Sequence, residues 1–384
     1  MNARIAIEAG KAPGRAEQAA TRIAFFVAGL GIAAWAPLVP YAKLRMALDD
    51  GALGLLLLCL GAGSILAMPL SGALASRFGC RRVLISAVLL VAFMLPALAT
   101  AAHLPLLGLA LFVFGAGIGS LDCVINIQAV IVERASGRSM MSGFHGLFSL
   151  GGIAGAAGAS GLLMLGATPL LATLVVVAIL LAAMAWAASG LLPYAGKGEG
   201  PAFAIPHGIV LFIGVLCFVV FLAEGAMLDW SAVFLTDLRR VDAAYAGLGY
   251  AAFASTMTIG RLTGDRFVHR LGPQRIIVWG GLCAAAGLVL ATLAPSWLAG
   301  LAGFALVGAG CSNIVPVLYT AIGRQNAMPE HIAVPAISTL GYAGILVGPA
   351  AIGAIAQVAS LPIAFLVVAT LLIGVAASAP RLRT

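Results

Sequence analysis

The apolar residues of this 384-residue chain fall into long, nearly unbroken runs, and the polar residues are gathered into short gaps between them. Twelve runs come close to the roughly 20 residues a helix needs to cross a membrane. They cover 22–42, 52–75, 81–102, 105–132, 140–165, 168–192, 207–236, 244–268, 274–294, 297–323, 331–357 and 361–379. Ten-residue segments of alternating polarity, the mark of an outer-membrane barrel, are missing. The pattern predicts an all-α membrane protein of twelve transmembrane helices.

Charge adds an orientation. Seventeen of the 21 Lys and Arg residues fall on one side of the spans, with Arg261, Arg266, Arg270 and Arg275 among them. Only Lys43, Arg45, Arg239 and Arg240 fall on the other side. Basic loops stay in the cytoplasm, so both termini are expected there. Composition agrees with the spans, since 62% of residues are hydrophobic, 9% are charged and the mean hydropathy is +1.11. No water-soluble surface can be built from such a chain. A net charge of +8 would suit nucleic acid, but its placement in short loops points to topology instead. Membrane lipid is the expected surrounding, with no nucleic-acid partner.

Residues 1–20 carry Arg4, Lys11 and Arg15 without an apolar core, and the first apolar run is too long for a signal segment. They read as a short cytoplasmic tail. The six cysteines have no paired or metal-type spacing, so no disulfide framework, metal or other cofactor is expected. The glycine-rich strings lie inside apolar spans and contain no phosphate-loop motif, which argues against a nucleotide site.

A Gly- and Pro-rich segment, LPYAGKGEGPAFAIP at 192–206, divides the spans six and six. The expected organisation is a half at 1–191, a cytoplasmic linker at 192–206 and a second half at 207–384. The halves echo each other. Gly115-Ala116-Gly117 recurs as Gly308-Ala309-Gly310, and the loop GALASRFGCRR from Gly72 has a counterpart in GRLTGDRFVHRLGPQR from Gly260. Repeated halves with a site near the bilayer midplane are a recurrent transporter plan.

Polar residues inside the runs are the candidate chemistry. Asp122 lies ten residues before Val132, roughly 15 Å into a core roughly 30 Å thick. An acid at that depth usually faces a bundle interior or a wet cavity. Asn126, one turn on, shares its face. Glu224 is the second acid near a span centre, and Asp229 lies nearer a span end. No Lys or Arg is expected in the central part of any span, so both central acids are expected to lack a cationic partner. Desolvation disfavours the charged carboxylate, and such a group takes up and releases protons as its access to water changes. The alternatives are that Asp122 is protonated glue between helices and that Asp229 reaches interfacial water. His145 can relay protons or bind substrate, or can simply pack against a neighbouring helix. Glu133, Arg134 and Arg138 read as topological and gating charges, or as an ordinary solvated loop.

The loop from Gly72 to Arg82 resembles the Gly-x-Leu-x-Asp-Arg-x-Gly-Arg-Arg signature of the major facilitator superfamily, and the loop from Gly260 repeats it. Within that superfamily, TRIAFFVAGLGIAAWAPLVPYAK, LDCVINIQ, ERASGRSMMSGFHGLFSLGG and EGAMLDWSAVFL resemble bacterial inner-membrane members near the fucose/proton symporters. The resemblance implies that spans 1, 4, 7 and 10 line a cavity. That favours Trp35, Asn313 and Tyr319 over Tyr250, Tyr342 and Gln357 as substrate ligands. It also implies a cytoplasmic gate in which the signature acid meets a basic residue and a helix N-terminus. Arg77, Arg81, Asp265 and Arg266 belong to that gate, with Arg324 as a candidate partner for Asp265. Ser76 stands where the first signature has its acid. The first-span acid typical of the sugar symporters is absent, which argues against fucose itself.

The reading is a monomeric secondary transporter, not an enzyme, carrying a small-molecule substrate together with protons. The substrate ligands are Trp35, Asn126, His145, Asp229, Asn313 and Tyr319, and the proton carriers are Asp122 and Glu224. Proton-driven efflux of amphipathic compounds and a transport-inactive sensor remain as alternatives. Reporter fusions at residue 10, within 192–206 and after Thr384 should all read cytoplasmic, and a periplasmic signal at any of them would overturn the basic-residue count.

Overall fold

The computed structural model describes residues 13–48, 50–195, 205–241, 245 and 247–382, for 50–55 the backbone alone. The tail with Arg4 and Lys11, the middle of the expected linker with Lys197 and Glu199, and Arg383 lie outside those residues. Among the described residues the chain is helical and has no strand. In order run α1 (Arg15–Ala33), α2 (Val39–Arg45), α3 (Asp50–Phe78), α4 (Cys80–Thr100), α5 (Leu104–Ser136), α6 (Met141–Met164) and α7 (Pro169–Ala187). There follow α8 (Gly208–Val233), α9 (Leu248–Leu271), α10 (Pro273–Leu293), α11 (Trp297–Cys311), α12 (Ile314–Ile322), α13 (Glu330–Val358) and α14 (Leu361–Ser378).

The first expected span is α1 plus α2, interrupted by a 3-10 turn at Ala36–Leu38, and the tenth is α11 plus α12. Prolines explain both breaks. Pro37, Pro40 and Pro316 lack the N–H that an unbroken helix needs. Eleven segments among the described residues are long and apolar enough to cross a membrane. The twelfth element, α9, has 24 residues and carries Arg261, Asp265, Arg266 and Arg270, which lower its hydropathy without stopping the helix. The first helix begins at Arg15, seven residues before the expected run. Glu17 Oε2 accepts the Gly14 N–H at 2.6 Å, so a capping box starts the helix before the apolar sequence begins.

The described residues form two compact units. One holds residues up to Gly137, Leu147–Pro206 and Met328–Ala336, and the other holds Arg138–Gly146, His207–Ala327 and the chain from Ile337. Lipid gives spans no hydrophobic reason to associate, so small residues that let backbones approach do the packing. In the first unit a Cβ on Gly115 would strike the Leu60 carbonyl, and one on Gly119 would come within 2.6 Å of the Ser64 oxygen. The α3–α5 contact is then closed by hydrogen bonds, Ser64 Oγ donating to Gly115 O at 2.8 Å and Ser71 Oγ to Ser120 Oγ at 2.7 Å. In the second unit Gly308 and Gly310 of the repeated tripeptide pack α11 against Phe253 of α9 and Gly280 of α10. Phe234, Phe304 and Phe365 stack beside them, with ring centroids 5.3–6.2 Å apart.

Helix ends are closed by arginine. Arg45 donates to the carbonyls of Leu98, Ala99 and Ala101 at 2.6–2.8 Å, where α4 ends. Arg239 does the same for Ala291 and Thr292 at the end of α10, with its guanidinium 4.8 Å from the Phe234 ring. A cation at a helix C-terminus satisfies orphan carbonyls and opposes the negative end of the dipole. Two of the four basic residues on the minority side of the topology count are therefore helix caps, one in each unit.

Removing a hydrogen-bonded charged group costs about 2 kcal/mol. Arg45→Ala should lower the melting temperature in detergent, Arg45→Lys should recover only part of the loss, and Leu44→Ala, at an 81% exposed position, should change nothing.

Candidate functional site

In the first unit the candidate residues sit on α5 and at the end of α1. Asp122 lies near the middle of α5 and is half-buried. Its carboxylate makes no hydrogen bond or ion pair among the described residues. Asn126 shares its face as expected, but its Nδ2 donates to the Asp122 backbone carbonyl at 2.9 Å rather than to the carboxylate. Asn126 is buried and its Oδ1 has no partner among the described residues, and the same holds for Trp35 and its Nε1. Buried polar atoms without partners are uncommon. Two occur in this unit on residues singled out from the sequence, beside the half-buried Asp122 carboxylate.

The second unit is built differently, and the local cause is Pro316. Without an N–H at 316 the Ser312 carbonyl has no helical partner. Arg261 Nε donates to that oxygen at 3.4 Å, and its other arm donates to Glu224 Oε1 at 3.1 Å. Arg261 and Glu224 expose 8% and 15% of their side chains, so this is a buried ion pair. The expectation that no cation lies inside a span, and that Glu224 lacks a partner, is thereby corrected. Arg261 had been counted as a loop charge, yet it lies ten residues before the end of α9, roughly 15 Å inside the helix. Its place within the run 244–268 was the available signal.

Three of the expected ligands gather in this second unit. The His145 ring lies 5.6 Å from that of Tyr319, and the Tyr319 hydroxyl bonds Ser338 Oγ at 2.6 Å. Asn313 Nδ2 donates to Gly260 O at 3.0 Å and to Ser312 Oγ at 2.9 Å, beside the carbonyl that receives Arg261. Asp229, further along α8, is exposed and does not join them. No group of three His, Cys, Asp or Glu side chains among the described residues could hold a metal ion.

The expected gating residues divide by what they touch. Asp265 Oδ2 accepts the Gly143 N–H at 3.0 Å, so the acid meets the first turn of α6, where helix N–H groups are unsatisfied. Arg324 is exposed and is not brought to Asp265. Ser76 turns its hydroxyl onto Ala73 O of its own helix. Arg134 pairs with Glu330, the first-turn acid of α13. Glu330 escaped the sequence reading, although an acid opening a helix is a recognisable signal. Arg81 donates to Ser189 O and Leu191 O at 2.8 Å, closing the end of α7. Arg77 is exposed beside the Phe78 ring, and Arg266 is exposed without a side-chain partner.

No family model matches the chain. It is 55% identical to an uncharacterized MFS-type transporter of Yersinia pestis over 96% of both chains. It is 32% identical to the membrane protein MosC of Rhizobium meliloti over 88% of this chain and 83% of that one. Among solved structures, the E. coli fucose:proton symporter FucP superposes with a TM-score of 0.81 at 17% identity, covering 96% of this chain and 98% of that one. The human organic anion transporter MFSD10 superposes with a TM-score of 0.75 at 13% identity, covering 96% of this chain and 100% of that one.

Breaking one partner of a buried pair leaves an uncompensated charge and costs about 3–5 kcal/mol. Glu224→Gln and Arg261→Gln should each destabilise the protein in thermal unfolding, and the double variant should lose less than the sum. Additive losses would mean that the two side chains are energetically independent.

Proposed function

We propose that this chain, which belongs to the major facilitator superfamily of transporters, moves a small polar solute across the bacterial inner membrane in symport with protons. Two six-helix halves, 1–191 and 207–384, alternate access to a central site, and the termini and the linker at 192–206 are cytoplasmic. The fold neighbour FucP is a proton symporter by description, which supports coupling of this kind. The observation that carries the reading is the Asp122 carboxylate, placed mid-span and half-buried with no protein partner among the described residues.

An unpaired acid in low dielectric is held neutral by a proton and can give it up when its side of the site opens to water. Alternating access then supplies the coupling. Proton and solute enter together, the neutral site turns over, and Asp122 releases the proton on the far side. Glu224 is balanced by Arg261, and it takes part only if that pair opens during the cycle. Trp35 and Asn126 offer their unpartnered Nε1 and Oδ1 to a polar solute from the first half. His145, also from the first half, and Asp229, Asn313 and Tyr319 from the second complete the set.

The gate is assigned to the helix starts. Asp265 holds the first turn of α6, and Arg134 holds Glu330 at the first turn of α13. Arg266 adjoins Asp265 and Arg324 lies six residues before Glu330, while Arg77 and Arg81 belong to the first-half signature loop.

A thermal-shift screen against sugars, organic acids and amino acids identifies a solute for the decisive assay. In proteoliposomes Asp122→Asn should abolish accumulation driven by a pH gradient while leaving solute exchange intact. Accumulation by Asp122→Asn with unchanged pH dependence would make Asp122 a structural residue and sink the proton reading.

A further inference from the structure

The second unit contains a cavity of about 460 Å³ between α9 and α10, floored by α11. That volume lies within the roughly 300–1,000 Å³ of ordinary ligand sites. Its floor is made of small residues, Gly260, Gly280, Ala309 and Gly310, at the places where α11 meets its neighbours. Its walls are bulky. Ile259, Phe267, Leu271 and Trp279 line it and are 42–65% exposed. These helices are spans, so the medium at that face is lipid.

The hydroxyl groups around the cavity are turned away from it. Thr263 Oγ1 donates to Ile259 O at 2.8 Å, Thr256 Oγ1 to Ala305 O at 2.7 Å and Ser312 Oγ to Ala309 O at 2.7 Å. Asn313 keeps its Oδ1 against Gly264. What remains for an occupant is hydrocarbon contact. The lining on α9 runs from Thr256 to Leu271, fifteen residues or roughly 22 Å of helix. One leaflet of a core roughly 30 Å thick is shorter than that, so the cavity accommodates an acyl chain along its length.

The end of the cavity at the α9–α10 turn is strongly basic. Arg270 and Arg275 flank the lining residues Leu271 and Ile276, and both are exposed without a side-chain partner among the described residues. Gln274 Nε2 donates to Leu382 O at 3.2 Å, bringing the chain end with Arg381 to the same place. No acidic residue occurs between Arg266 and Pro329, and Asp265, the acid that precedes this stretch on α9, accepts the Gly143 N–H instead. An apolar trough ending in free guanidinium groups is complementary to one chemistry, a fatty chain ending in a phosphate anion.

We propose that this cavity is a binding site for an anionic phospholipid, its acyl chain in the trough and its phosphate between Arg270 and Arg275. Of the residues assigned to transport only Asn313 lines this cavity, its amide donating to Gly260 O and Ser312 Oγ, and Asp122 lies in the other unit, so failure of the lipid site would leave the symport reading standing.

The test uses full-length protein in nanodiscs with Trp279 as the only tryptophan, the other four changed to Phe. Phosphatidylglycerol brominated on its acyl chains should quench Trp279 at a lower mole fraction than brominated phosphatidylcholine. Arg270→Ala and Arg275→Ala should each weaken that preference about fivefold. Ala309→Phe, at an exposed floor position, should abolish it with both arginines in place. Equal quenching by the two lipids would overturn the proposal, and so would a preference that survives Ala309→Phe. Should the single-tryptophan protein fail to fold, native mass spectrometry of the unmodified protein should retain phosphatidylglycerol and lose it in the double arginine variant. Equal retention in both would also overturn it.

Discussion

Hydrocarbon supplies no hydrogen bonds, so each polar group inside a span must be matched by the protein or left at a cost. The two central acids meet that constraint in opposite ways. Glu224 is matched by Arg261, whose own position depends on a carbonyl that Pro316 frees. Among the described residues Asp122 is left without a partner, one turn from Asn126, whose Oδ1 is also unmatched. A chain that can build a buried ion pair in one unit has the means to neutralise an acid in the other. The contrast is what gives Asp122 its functional weight.

The same constraint acts at helix termini, where four N–H or four carbonyl groups have no helical partner. Here cations close C-terminal ends and acids meet N-terminal ones, as the helix dipole favours. Arg45, Arg81 and Arg239 cap α4, α7 and α10. Asp265 accepts from the start of α6, and Glu330 opens α13. These last two helices share a further property. Each has its first turns in one compact unit and its remainder in the other.

Helix packing follows from the lack of a hydrophobic drive between spans in lipid. Glycine at Gly115, Gly119, Gly308 and Gly310 brings backbone onto backbone, and hydroxyl-to-carbonyl bonds then fix the register of α3 on α5. Where α9 and α10 meet α11 through Gly260, Gly280 and Gly310, these small residues, with the exposed Ala309, leave the trough between α9 and α10.

The sequence by itself determined the number, order and approximate limits of the spans, because crossing a membrane demands a length of apolar residues that a linear pattern records directly. It also exposed the repeated halves and the depth of Asp122. What it left open was pairing. Arg261 and Glu224 lie 37 positions apart and Arg134 and Glu330 lie 196 apart, so only the packing of α8, α9, α5 and the start of α13 brings them together. The start of α1 was likewise hidden, since a capping box extends a helix without regard to hydropathy. Local physics sets where a helix can exist, and tertiary structure alone decides which buried charge is answered and which is not.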